Sequence, residues 1–539
     1  MMSAIEGYPT LIALAAAAYA AVIWTRSSYF RSVDVPPGPP MVGRLSGHAA
    51  VLPLTKPWKV YTEWAHKYGS LLHVRAYHQR IILLSSIEDC IELFEKRSTL
   101  YSDRPTYTIA ELMGWDFNAG IMSYGPRWRR HRRLFQQTFR KVTSLAYRPE
   151  QTRKVNDMLY GLLTSPEDFR DHIQTVSASI VLSTAYGYDI QPKKDYLIQI
   201  AEDATEQLVM AAVPGATLVN HVPVLQYLPT WFPGAGFHKL AAGTKELTTQ
   251  MKEIPFKWTQ EKVKAGATAD CIVAAKLPSC STQEDMETLQ DFAAMIYAAG
   301  ADTTTAVLNT FFYVMAAVSP DVQKLAQQEI DSVVGRNRLP TYDDWSSLPY
   351  TEAIMREVLR WRPVLPLGVP HRVTDDDIYK GYLIPKGSLV IFNAWGLSRD
   401  PSIYKDPETF NPDRFFDESG NLNDDDSSYT FGFGRRKCPG RHMAYATVTN
   451  TAPLSSGYIE LTVVQVWLSM ATTLWAFDIG KAKDASGQEI PISGEYSDGM
   501  ISHVKPHACS ITPRSSQVER IIKEAAAQTK ERISQSYEF

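Results

Sequence analysis

Cys438 stands in the run FGFGRRKCPG, residues 431–440. A thiol ligates a metal or attacks an electrophile only as the thiolate, a form that nearby cations and a helix N-terminus stabilise. Arg435, Arg436 and Lys437 supply the cations. Pro439 suits a first helical turn, where its missing N–H costs nothing. Gly432, Gly434 and Gly440 let backbone amides come close to the sulfur. Cys90, Cys271, Cys280 and Cys509 are scattered, with no CxxC pair. That disfavours a disulfide scaffold or a cysteine-rich zinc site and fits a reducing compartment.

A single thiolate with no second ligand at zinc spacing suits haem iron, where sulfur donates electron density and favours O–O cleavage. Other stretches carry residues of unusual type for their setting. AGADTT, residues 299–304, breaks an apolar helical pattern with Gly300 and a threonine run, poor choices for a plain core helix. Small residues leave room for a ligand, a threonine hydroxyl can open a groove, and an acid beside a hydroxyl can relay protons. EVLR (357–360) and FNPDRF (410–415) offer one carboxylate and two guanidiniums. Buried together, such groups cannot lose a partner without leaving an unpaired charge.

Phe431, Gly434, Arg436, Cys438 and Gly440 match the signature FxxGxRxCxG, and on these residues the chain resembles the cytochrome P-450 family of haem-thiolate monooxygenases. The resemblance implies that Cys438 ligates the iron of haem b and that Arg436 touches a propionate. It implies similar haem contacts for Trp128 and Arg132 in WRRHRR, and for Arg372 in VPHR. It makes Glu357, Arg360 and Arg414 a buried network behind the haem. It makes Asp302 and Thr303 the acid–alcohol pair that delivers protons to bound dioxygen. By family position the substrate pocket takes Ile296, Ala299, Gly300 and Leu367, with the stretches 108–120, 365–370 and 495–503. Their apolar character implies a lipophilic substrate.

The elements that must position these residues are mostly helical. The fold expected is mainly α with small β-sheets (α+β), the P-450 fold. A long helix is expected over 286–318, stopped by Ser319-Pro320, and helices dominate 130–275 with breaks at 213–217 and 228–236. Strands are expected within 70–86, and two more around a Pro-Lys-Gly turn in 377–393. Residues 8–24 are uncharged and followed by Arg26 and Arg31, which reads as a single-pass membrane anchor over 1–31 with the body on the cytosolic side. A proline-rich hinge (32–44) and a single domain (45–539) follow. The chain has 539 residues, and its net charge of −3 does not suggest a nucleic-acid partner.

The family helix after the cysteine normally runs on without interruption. Here residues 448–465 intervene, with Pro453 and Ser455-Ser456-Gly457, which would break a helix. The stretch starts on valine, whose codons begin GT, and ends on glutamine, one of whose codons ends AG. It is read as a retained intron. The family implies electrons from NADPH through the FAD and FMN of cytochrome P-450 reductase, with cytochrome b5 as a second donor, at the endoplasmic reticulum membrane. Arg129, Arg130, Arg133, Arg435 and Lys437 would form the basic face that steers an acidic reductase. ELMGWDF and YLPTWFPGA look closest to fungal members of secondary metabolism, acting on terpenoid or indole-type scaffolds. Two alternatives stand beside this reading: a reductase-independent haem-thiolate isomerase or dehydratase, and a haem protein made inactive by 448–465.

Overall fold

The computed structural model of the chain describes residues 34–139, 145–190, 195–212, 217–220, 222–266, 270–440 and 461–537. The anchor expected over 1–31 lies outside them, as does most of 448–465. Among the described residues no helix is long and apolar enough to cross a membrane. They fall into two compact units.

The first unit comprises 34–103 and 370–393. Its sheet runs in the order β1 (Leu71–Ala76), β2 (Gln79–Leu84), β6 (Leu389–Phe392), β3 (His371–Arg372). β1 and β2 form an antiparallel hairpin, and β2 pairs parallel with β6 in the register Ile81↔Leu389 to Leu84↔Phe392. Ile81, Ile82, Leu83 and Leu84 are all buried. Such a run, apolar on both faces, is what a central parallel strand requires. Helix α1 (Pro57–Tyr68) is tied to the sheet end by Asn393, whose amide donates to Trp58 O at 3.0 Å.

Between β3 and β6 the structure differs from the two-strand expectation. Three strands are present over 377–393, because β4 (Asp377–Tyr379) and β5 (Tyr382–Ile384) form their own hairpin. Its turn residues, Lys380 (φ 51°) and Gly381 (φ 81°), are both left-handed, as a tight two-residue hairpin demands. Lysine is not a usual signal for that conformation. Its ammonium is held 2.6 Å from the buried Asp89 carboxylate. The Pro-Lys-Gly turn follows, closed by Ser388 N–H to Pro385 O at 3.1 Å.

The second unit comprises 104–369 and 394 onward, and it is helical. Its named helices are α2 (Pro126–Thr138), α3 (Arg148–Thr164), α4 (Phe169–Tyr186), α5 (Tyr196–Ala212), α6 (Phe237–Lys264), α7 (Gln283–Tyr313), α8 (Pro320–Val333), α9 (Pro349–Trp361), α10 (Leu461–Ala476) and α11 (Ser516–Tyr537). A hairpin of β7 (Phe477–Lys481) and β8 (Cys509–Pro513) completes it. α7 is the expected long helix. It starts at a capping box, where Thr282 Oγ1 accepts Asp285 N–H and Asp285 accepts Thr282 N–H. At 1.5 Å per residue it is about 46 Å long. α9 starts at Pro349, and the Glu329 carboxylate from α8 accepts Tyr350 N–H at 2.7 Å and Thr351 N–H at 3.0 Å, satisfying two orphan donors. α10 begins at Leu461, so the last five residues of the intervening stretch are already helical and continuous with Val466.

Asp291 on α7 gathers two neighbouring helices. Lys252 of α6 lies 2.6 Å from its carboxylate and Arg127 of α2 lies 2.9 Å away; His131 Nε2 follows at 3.6 Å. Burial would raise this carboxyl, but His131, Lys252 and Arg127 outweigh it and hold it at about 2. A carboxyl lowered by folding stabilises the fold above its ordinary range and loses that contribution as pH falls through the folded value. Asp291→Asn should therefore cost about 2 kcal/mol at neutral pH. The deficit should shrink as pH falls from about 4 towards 2. Urea midpoints of both proteins at pH 7 and pH 3 check this, and an equal deficit at both would refute it.

Candidate functional site

The cysteine loop is shaped by its glycines. Gly432 (φ 78°) and Gly434 (φ 56°) lie in the left-handed region, where a side chain would be strained. A short turn, Gly434–Arg436, then carries the chain round so that Cys438 N–H donates to Phe431 O at 2.7 Å. Cys438 is half-buried at the closure of this loop. Burial raises the thiols of Cys90, Cys271 and Cys280, and takes Cys509 up to about 12, so all four are held neutral. Gly440 is the last described residue of the loop, and the helix expected after Pro439 lies outside the described residues.

Helix α2 supplies the neighbouring residues. Gly125 is extended and Pro126 occupies the first turn. Trp128 is buried, and the Arg436 guanidinium lies 4.4 Å above its ring. Arg436 also donates to Ala119 O at 3.0 Å and Met122 O at 2.7 Å. Arg132 lies one helical turn beyond Trp128, on the same face, and is half-buried. Tyr124 joins the helix to the loop. Its hydroxyl accepts Arg435 Nη1 at 2.5 Å, and Arg435 and Arg129 lie 5.5 and 5.6 Å from its ring. Arg372 belongs to the first unit, on β3, where its Nε and Nη2 hold Asp103 Oδ2 at 3.0 and 2.5 Å.

α7 is buried on both sides of its motif, from Asp291 to Ala294 and again from Ala306 to Phe312. Between them Ala299 is exposed, and Gly300, Ala301, Asp302 and Thr303 are partly so. The helix is not broken there. The hydroxyls of Thr303, Thr304 and Thr305 donate back to Ala299 O, Gly300 O and Ala301 O at 2.9 to 3.0 Å, which leaves the ladder intact. Gly300 also has another cause. A Cβ there would stand 2.5 Å from Val181 Cγ1, so glycine lets α4 and α7 approach. Ile296 is buried within an apolar cluster, and so are Ile109, Met113, Trp115 and Phe117 of the 108–120 stretch. Leu367 is half-buried.

The carboxylate and guanidiniums of α9 do come together. Glu357 and Arg360 are fully buried, and Arg360 grips Glu357 with two bonds of 2.6 and 2.8 Å. Arg414 Nε reaches Glu357 Oε1 at 3.2 Å, and Asn411 N–H donates to the same oxygen at 2.8 Å. Arg360 further donates to Ser398 O and Pro407 O. One residue that the sequence reading missed is Arg104, buried and donating to Gly120 O at 2.8 Å and Val369 O at 2.6 Å. A second is His503, whose Nε2 lies 3.1 Å from Asp302 Oδ1. Neither stands in a motif.

These residues fit an iron porphyrin. A half-exposed sulfur sits in a glycine loop beside cations, arginine and tryptophan converge next to it, and a core helix opens at an alanine and an acid–hydroxyl pair. The comparisons agree. The cytochrome P-450 family model matches residues 36–450. The chain is 37% identical to cytochrome P-450 monooxygenase claR of Ampulloclitocybe clavipes, over 92% of this chain and 89% of that one. It is 36% identical to cytochrome P-450 monooxygenase 176 of Postia placenta, over 98% of this chain and all of that one. It is 37% identical to cytochrome P-450 monooxygenase ple1 of Rhodocybe pseudopiperita, over 94% and 95% of the two chains.

Two substitutions test the geometry. Glu357→Gln leaves Arg360 buried without its carboxylate and should cost about 3–5 kcal/mol, seen as a lower unfolding midpoint. A loss under about 1 kcal/mol would contradict a buried pair. Gly300→Ala should destabilise by overpacking, by about 1–3 kcal/mol, and Val181→Ala should restore most of the loss. If the second change rescues nothing, the Val181 contact is not what excludes a side chain at 300.

Proposed function

The chain belongs to the cytochrome P-450 family of haem-iron monooxygenases, and we propose that it takes NADPH electrons from an FAD/FMN reductase to oxygenate a lipophilic small molecule. Hydroxylation or epoxidation of a terpenoid or indole-type scaffold in fungal secondary metabolism is the reading its motifs support. The observation that carries it is a half-buried cysteine in a glycine-shaped loop beside Arg436 and Trp128, together with an acid–hydroxyl pair on the open part of α7.

Bound haem supplies dioxygen activation at iron. The chain's own residues do the rest. Cys438 would hold the iron through its sulfur, on a backbone fixed by the bond from its amide to Phe431 O. Arg436, Trp128 and Arg132 would hold the propionates. Arg436 is placed for this by two carbonyls and the Trp128 ring. Asp302 would take up protons from solvent and hand them to Thr303, whose hydroxyl would pass them inward after releasing Ala299 O.

The basic face has support in Tyr124, which collects Arg129 and Arg435 next to the cysteine loop. An acidic reductase docking there would bring its electrons to the sulfur side. Cytochrome b5 would compete for the same cations. Attachment to the endoplasmic reticulum membrane is supported by residues 218–232, where Leu218, Val224, Tyr227 and Trp231 are each about two-thirds or more exposed. Apolar surface of that extent marks an interaction surface.

Expression with a fungal reductase in yeast tests the whole reading. The protein should sediment with the microsomes, and its reduced carbon-monoxide complex should show the thiolate-ligated band. Candidate terpenes should gain one labelled oxygen from ¹⁸O₂ only when NADPH is present. Cys438→Ser should abolish the band and the labelled product. Label incorporation without NADPH would instead favour the isomerase class.

A further inference from the structure

Asp302 projects from the open part of α7, with 42% of its side chain exposed, and its ion-pair partner comes from far along the chain. His503 lies on the hairpin Glu495–Lys505, closed by the Tyr496↔Val504 bridge and by Lys505 N–H to Glu495 O at 2.8 Å. His503 is itself pinned at the backbone. Its N–H donates to Ser497 Oγ at 3.0 Å, and its carbonyl accepts Ser497 N–H at 2.8 Å. The hairpin is fixed to its surroundings at two further places. Ser502 N–H donates to Val364 O at 2.8 Å, just beyond α9. Tyr496 is buried, its hydroxyl 3.3 Å from Thr310 Oγ1 on α7 and its ring 5.2 Å from the Arg362 guanidinium. His503 is therefore not a wandering surface side chain. Its imidazole is delivered to Asp302 by a braced hairpin.

The other side of Asp302 is acidic. Glu202 on α5 is pushed up to about 7, by burial first and then by the charges of Asp302, Asp203, Asp171 and Glu206. A carboxylate with acids on one side and a ring N–H donor on the other turns towards the donor.

We infer that His503 is a positioning residue for proton delivery: its Nε2–H holds the Asp302 carboxylate in one orientation, so the 495–505 hairpin sets how the acid presents its proton to Thr303. The inference rests on Asp302 being the proton-delivering acid. No proton needs to pass through the imidazole, because Asp302 is itself open to solvent and can reload there. A donor at the position of Nε2 is the only chemical requirement, and glutamine carries one at nearly the same reach from the backbone.

The test uses the membrane-bound holoenzyme with its reductase and a substrate it turns over. His503→Phe should raise the share of NADPH electrons recovered as hydrogen peroxide about threefold or more, the scale of one charge-assisted hydrogen bond lost at a partly exposed site. His503→Gln should stay close to the parent. If both variants leak equally, the imidazole acts as relay or charge and the positioning role is overturned; if neither leaks, the contact is idle and it is overturned too. A second readout is independent of turnover. Unfolding temperatures of His503→Phe, Asp302→Asn and the double variant should be non-additive, the second substitution adding little, whereas additive losses refute a direct contact. Asp302→Asn also separates the two layers of the argument. If that variant alone leaves peroxide unchanged, the proton-delivering role of Asp302 fails; if it leaks while the His503 variants do not, only the inference falls.

Discussion

A carboxylate with no exposure to water must be paired, and Glu357 is such a group. Its two oxygens take bonds from Arg360, Arg414 and the Asn411 amide, while Arg360 spends its remaining donors on Ser398 O and Pro407 O. The pair thus clamps the irregular chain from 398 to 414 against α9. One turn earlier Arg356, bound to Glu352, donates to Asn423 O and Asp425 O. These two ion pairs act at successive points on the segment that leads into the cysteine loop. Without them a stretch of some thirty residues with little regular structure would be free to choose among conformations, at a cost of about 1–2 kcal/mol per residue to fix. The loop that presents Cys438 depends on charges buried well behind it.

The long helix works by the opposite principle. α7 is buried on either side of its motif, which fixes it, and open at the motif itself, which lets it do chemistry. Its threonines do not distort it; each hydroxyl returns to the carbonyl one turn back. That arrangement stores a hydroxyl that can change partner. Gly300 has a packing reason on the far face, since α4 presses Val181 against it. The motif AGADTT therefore combines a requirement of helix packing with a requirement of proton chemistry in neighbouring residues, and the two are told apart only by which way each side chain faces.

The same distinction governs what could be read from the sequence. The cysteine loop, the α9 pair with Arg414 and the span of α7 were legible because each depends on residue types at short, fixed spacing: glycines where φ is positive, a carboxylate three residues before an arginine, a long apolar run stopped by Ser319-Pro320. The Lys380-Gly381 turn was not legible, because lysine at positive φ is held there by the buried Asp89, a partner far away in sequence. Ile296 and residues of the 108–120 stretch were assigned to a pocket on family position alone; they are buried in an apolar cluster, and an apolar side chain looks the same in sequence whether it packs a core or lines a cavity.

His503 and Arg104 show where sequence reading ends. Both act through partners that lie far off along the chain, and neither sits in a pattern. A histidine directly after a serine in a polar hairpin carries no signal for an acid two hundred residues earlier; only the folding of 495–505 against α7 and the end of α9 makes them neighbours. Local spacing can announce chemistry that a single element carries. Chemistry that depends on one element steering another is encoded in the contacts between them: here in Tyr496 against Thr310 and Arg362, residues whose types alone say nothing about protons but whose packing decides where an imidazole meets a carboxylate.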